Sequence, residues 1–167
     1  TGKGHHPRMA GLNGRAHALV DGLGLSPLEG EGGFFARVHT FCGDDGKVSG
    51  STILYLMTHA DYSRFHRLTS DEVWYHLEGS PVEQLTLEDN GSYTLTVLGR
   101  ASEGRVPVAT VRAGSWQASR PIGEEGWALC AATMMPAWSE GGFALADHHS
   151  LAPWAHCPHL GRFVEEE

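Results

Sequence analysis

FHRLTSDEVWYHLEG, residues 65–79, places two histidines, three carboxylates and three large aromatics in one short stretch of alternating polar and apolar residues. Alternation with a period of two is the mark of a strand with one face against a core. Thr69–Asp71 reads as a turn between two such strands. On the second strand Glu72, Trp74 and His76 share one face, and Val73, Tyr75 and Leu77 share the other. On the first, His66 and Leu68 share a face, so His66 and Glu72 can sit opposite each other across a lumen. The stretch is therefore a metal site, an acid–base pair or a buried polar network in which His66, Glu72 and Gln117 satisfy one another.

Outward from this stretch the same period repeats. From Gly33 onward come runs such as FFARVHTF, STILYLM, VEQLTLE, SYTLTVLG, SWQASRP and GWALCAATMM, divided by Gly, Asn, Asp and Pro. Evenly spaced short strands predict an all-β sandwich or small barrel. Asp89-Asn90-Gly91 predicts a hairpin with a type I′ turn, which needs two residues at positive φ. Helical spacing occurs at Arg15–Leu23, stopped by Gly24, and in part at Phe143–Val164, broken by Pro153 and Pro158. Short N- and C-terminal helices are expected there.

The chain has 167 residues, the size of one domain with its own core. Residues 15–167 are expected to form it, and residues 1–14 to be a disordered or vector-derived N-terminus, since Thr1–Arg8 precede the first methionine, Met9. A net charge of −8 without a Lys/Arg cluster excludes a basic nucleic-acid or anionic-membrane surface. Cys42, Cys130 and Cys157 are odd in number and lack a C-x-x-C pair, as expected of free thiols in a cytoplasmic protein. No apolar run approaches the ~18 residues of a membrane span.

The opening stretch resembles the first signature of the cupin superfamily: glycine, five residues, His-x-His, three or four residues, Glu, six residues, glycine. Here Ala60 stands at the first glycine, His66 and Glu72 are kept, Leu68 replaces the second histidine, and Gly79 closes the pattern. The second signature, Pro-x-Gly-x-x-His-x-x-x-Asn, is similar to RAGSWQASRP, with Gly114 kept and Gln117 at the histidine position. At subfamily level, Glu31–Val38, Phe65–Trp74 and Ala113–Arg120 resemble the three blocks of the Cupin_5 (DUF985) family, in the same order. YHLEG departs from the more usual HFYAG of that family and brings in His76. The resemblance implies a double-stranded β-helix, or jelly-roll barrel, usually a homodimer, with a pocket in the barrel mouth. It implies no firmly established reaction.

Within that frame the expected catalytic residues are His66 as base, Glu72 as its orienter and Tyr55 as acid. Trp74, His76, Trp116 and Gln117 are the expected ligand-binding residues, the tryptophans as stacking platforms and Gln117 as a donor to a developing oxyanion. The function expected is metal-independent isomerisation, epimerisation or cyclisation of a small polar or sugar-like molecule, with no cofactor required. The alternatives are a non-catalytic ligand-binding protein, and a metal-dependent oxygenase or lyase holding a divalent ion on His66, Glu72, His76 and Gln117. That set is weak, because a neutral amide oxygen is a poor ligand for first-row metals. His148, His149, His156, Cys157 and His159 match no zinc signature and are expected to lie in a solvated tail. Glu31-Gly32-Gly33 is too short for a phosphate loop and is expected to form a tight entry turn.

Overall fold

The structure is a computed structural model that describes Arg8 and residues 12–165. The helix at the N-terminus, α1, spans Gly14–Leu23; the Asn13 side chain accepts from Ala16 N and Gly24 ends it in the left-handed region. Among the described residues, strands follow at Ser26–Pro27 (β1), Phe34–Cys42 (β2), Val48–Thr58 (β3), Ser63–Leu68 (β4), Asp71–Gly79 (β5) and Val82–Leu87 (β6). The chain continues through Tyr93–Leu98 (β7), Val108–Val111 (β8), Trp116–Pro121 (β9), Trp127–Met135 (β10) and Phe143–Leu145 (β11) to a one-turn helix, His148–Leu151 (α2). No described helix is long and apolar enough to cross a membrane.

These strands make two antiparallel sheets, ordered β1-β2-β3-β10-β5-β8 and β11-β4-β9-β6-β7. The fold is a jelly roll, as expected. β4 and β5 belong to different sheets, so Thr69-Ser70 is a corner where the chain crosses from one sheet to the other. That crossing is what puts His66 and Glu72 on facing walls.

Between the sheets lies a core that includes Tyr55, Met57, Trp74, Val111, Ala128 and Cys130. Helix α1 covers the back of the first sheet, where Ala16 and Val20 meet Phe34, Leu56, Trp127 and Leu129. Strand β3 is thus apolar on both faces over its second half, which explains the unbroken run ILYLM. The C-terminal segment covers the back of the second sheet, with Leu151, Trp154, Cys157 and Phe163 packed on Phe65, Leu85, Leu87 and Trp116.

Two local expectations are corrected by the structure. At Asp89-Asn90-Gly91 only Gly91 has positive φ. The Asn90 side chain accepts from Ser92 N and Oγ, and Glu88 N donates to Ser92 O, a three-residue loop with a left-handed glycine in place of a type I′ turn. The C-terminal segment is no solvated tail: Leu151, Trp154, Cys157 and Phe163 are buried while His148, His149 and His156 face outward. Of residues 1–14, residues 1–7 and 9–11 lie outside those described, but Arg8 is held by both carboxylate oxygens of Asp61, at 2.6 and 2.5 Å.

Candidate functional site

A cavity of about 240 Å³ opens at one end of the barrel between the two sheets. Its walls are largely apolar, with Phe35, Ile53, Tyr55, Trp74, Trp138 and Phe143 among them, and the carboxylates of Glu31 and Glu72 face it. A volume of this size is the room of about eight waters at ~30 Å³ each. Any ligand is correspondingly small.

Glu72 comes from β5 and is buried, with Trp74 two residues on donating Nε1 to its Oε1 at 2.8 Å. Burial pushes its carboxyl from the ordinary 4.5 up to about 7, and the charge of Glu31 adds to the rise. The charge of His66 and the hydrogen bonds from Trp74 and Gln117 pull the other way without cancelling it. Near neutral pH Glu72 is therefore a carboxylic acid about half the time.

Glu31 comes from the loop between β1 and β2. Two glycines allow that loop to press against the barrel: Gly32 and Gly33 both have positive φ, and a Cβ would strike the Tyr62 carbonyl at the first and the Tyr55 hydroxyl at the second. Asp61 accepts from Gly33 N at 2.7 Å, and Arg64 N donates to Glu31 O at 2.9 Å, pinning the loop on the start of β4. The Glu31 side chain then lies over His66, with Oε1 3.4 Å from His66 Nε2 and Oε2 accepting from Ser63 Oγ at 3.1 Å.

His66 is 1% exposed. Its Nδ1 lies 2.7 Å from the Arg64 carbonyl, which can only accept, so Nδ1 carries a proton and Nε2 faces Glu31. Phe143 stacks on the ring at 5.6 Å. Nε2 and Oε1 thus face each other, with the imidazole behind and the carboxylate toward the cavity. Gln117 lies beside His66 in the β4–β9 register, and its buried Oε1 has no hydrogen-bond partner among the described residues. Neither His66 nor Gln117 lines the cavity.

Tyr55 does line it, but its hydroxyl donates to Gly32 O at 2.5 Å. Burial, and then the nearby Glu31 charge, push the phenol well above its ordinary value. Its ring meets Trp74 edge to face at 5.6 Å. Tyr55 is placed to anchor the Glu31 loop, not to release a proton.

Two expected site residues lie elsewhere. His76 shares the inward parity of Glu72 and Trp74, yet four residues at ~3.3 Å each carry it about 13 Å along β5. There it lines a separate cavity with Gly79, Ser80 and Arg100, and its Nε2 donates to Ser80 O at 2.7 Å. Trp116 precedes Gln117 on β9 and so faces the other way, into the core under the C-terminal segment, with the Arg67 guanidinium 4.6 Å above its ring. Neither residue can touch a ligand held by Glu72.

The expected metal set does not fit an ion. His76 is at the wrong end, Leu68 supplies no donor, Gln117 offers only an amide, and His66 Nε2 is turned to Glu31. Among the described residues no three His, Cys, Asp or Glu side chains converge as a metal site, the C-terminal histidines included. Sequence reasoning missed Glu31, although a visible signal existed: a carboxylate directly before the two glycines that opened the first resembling block.

A sequence model of Cupin_5, described as Cupin superfamily (DUF985), matches residues 17–146. Among solved structures, one similar chain is a protein from Shewanella oneidensis, 25% identical, TM-score 0.78, with 89% of this chain and 96% of that one covered. A hypothetical protein from Leishmania major is 23% identical with TM-score 0.74, covering 89% of this chain and 97% of that one. Oxalate decarboxylase from Bacillus subtilis is 12% identical at TM-score 0.55 over 72% of this chain and 30% of its own, a likeness of fold alone. Comparison with curated proteins finds no match. The chain belongs to the Cupin_5 family of the cupin superfamily.

Proposed function

From that membership and this geometry, we propose that the protein carries out metal-independent acid–base chemistry, an isomerisation or epimerisation, on a small polar molecule in the barrel mouth. The observation that carries the reading is the pair of carboxyls facing one small apolar cavity from different elements, Glu72 buried on a strand and Glu31 on a loop beside His66. Glu31, backed by His66, is the base. Glu72, whose proton is held by burial to about pH 7, is the acid. A carboxyl kept protonated by burial is suited to the acid role.

In the proposed step the Glu31 carboxylate takes a proton from a carbon next to a carbonyl, while Glu72 gives its proton to the carbonyl oxygen. In an epimerisation the proton returns to the same carbon from the opposite face as Glu72 takes its proton back from the enol oxygen; in an isomerisation of an α-hydroxy carbonyl it returns to the former carbonyl carbon as Glu72 takes the proton of the neighbouring hydroxyl, and no atoms are gained or lost. His66 acts as a positioning residue, its Nε2 3.4 Å from Glu31 Oε1. This differs from a reading with His66 itself as base, because Glu31 stands between the imidazole and the cavity.

The test is exchange of carbon-bound hydrogen in D₂O, followed by NMR over a panel of small carbonyl and sugar compounds. Exchange is expected with the wild-type chain and a loss of about 10²-fold or more in E31Q and E72Q, the usual range for one acid–base group. Unchanged exchange in both variants overturns the assignment. Binding without exchange in the wild type marks a ligand-binding protein instead.

The proposal includes a homodimer. Among the described residues, β2 beyond Phe35 pairs only with β3, and Val38 and Phe41 are exposed on this edge strand. An open, partly apolar edge favours pairing with a second chain. Sedimentation equilibrium at monomer mass overturns it.

A further inference from the structure

The cavity holds one residue that the acid–base reading leaves unused. Among the described residues Arg37 is the only basic side chain on its wall, in a chain of net charge −8. Its guanidinium makes a single hydrogen bond, to Thr40 Oγ1 at 3.2 Å, and no carboxylate of the described residues pairs with it. Glu29 lines the same mouth, but its carboxylate lies 3.6 Å from Arg8.

Strand register fixes where Arg37 stands. On the first sheet Arg37 lies opposite Ile53, Ile53 opposite Ala132, and Ala132 opposite Trp74, forming one row across the cavity wall. Ser51, Met134 and Glu72 form the next row. Arg37 and Trp74 are therefore three strands apart, about 14 Å along a flat sheet at ~4.8 Å per strand. An inward-reaching guanidinium shortens that gap to the length of a small molecule. Ile53 and Ala132 give the middle of the row an apolar surface.

The geometry points to a ligand class: a small monocarboxylic acid whose carboxylate is bound by Arg37 at the mouth and whose apolar body lies along Ile53 and Ala132. Its other end reaches the space between Glu72 and Glu31. A planar guanidinium with free N–H groups matches a carboxylate in two parallel hydrogen bonds, which a lysine does not reproduce. The anionic end is held away from Glu31 and Glu72, which would repel it. The assignment of the reacting end rests on the acid–base reading; the assignment of the anionic end does not.

Isothermal titration of the full chain with benzoate, and with benzamide as its uncharged counterpart, tests the anchor. Saturable benzoate binding is expected, at least about tenfold weaker in R37Q, with only partial loss in R37K. Benzamide is expected to bind more weakly than benzoate and to be indifferent to R37Q. Equal binding of both probes, benzoate binding unchanged in R37Q, or no saturable benzoate binding at millimolar concentration each overturns the anchor. E72Q separates the two readings. It is expected to keep benzoate binding while losing hydrogen exchange, so persistence of exchange in E72Q removes the acid–base reading and leaves the anchor standing.

Discussion

Replacing Glu72 with glutamine removes one proton-binding site from the folded protein, and the consequence is a change in how stability depends on pH. The wild-type carboxyl moves from 4.5 in the unfolded chain to about 7 in the fold. Between those values the native state holds a proton that the unfolded chain has lost. Stability therefore falls as pH rises through this window and levels off above it. At 1.36 kcal/mol per pH unit, the wild-type chain loses roughly 2–3 kcal/mol between pH 5 and pH 8 through this group alone. Glutamine keeps an acceptor for Trp74 Nε1, and its amide can donate to the partnerless Gln117 Oε1, so E72Q is expected to fold without that loss. The assay is urea unfolding followed by tryptophan fluorescence at a series of pH values. Every other residue is common to the two proteins, so the difference isolates position 72. The stability of E72Q relative to wild type should rise by about 2–3 kcal/mol from pH 5 to pH 8. A difference that is flat to within about 0.5 kcal/mol refutes the claim that burial holds a proton on Glu72.

Trp74→Phe removes the Nε1 donor at 2.8 Å from the Glu72 carboxylate, which favours its charged form. The pH window of destabilisation should then extend upward in the same unfolding series, and an unchanged window argues against that bond. Gly33→Ala forces a Cβ into the Tyr55 hydroxyl at a positive φ. Melting is expected to show a loss of about 2 kcal/mol or more, and exchange activity should fall with it because Glu31 is displaced. Wild-type melting by this variant contradicts the loop's role. Burial pushes the Cys130 thiol to about 12, whereas Cys42 is exposed. A thiol reagent at pH 8 should therefore label Cys42 at once and Cys130 only on unfolding, as peptide mass mapping would show; prompt labelling of Cys130 speaks against its burial.

How much of the site was legible follows from what kind of information each residue needed. His66, Glu72 and Trp74 were readable because strand parity is local, and the corner at Thr69-Ser70 keeps the two faces turned to one lumen. Parity says nothing about depth, and so His76 shares a face with Glu72 yet reaches the far end of the barrel. Trp116 and Gln117 were both expected at the pocket, although adjacent strand residues cannot both face it. Asn90 kept a negative φ because its own side chain satisfied the loop, a choice that a dipeptide rule does not see.

The amino-acid sequence by itself determined the jelly roll, the family and the inward faces of β4 and β5. Each rests on backbone period, turn residues or short motifs, which act over a few residues. Only the tertiary structure decided that Glu31 crosses over to cover His66, that Tyr55 spends its hydroxyl on Gly32, and that Arg37 stands at the mouth. Those contacts join segments distant along the chain, through a glycine-permitted loop and the register of four strands. Their geometry exists only once the two sheets have closed on each other and excluded water from the space between them.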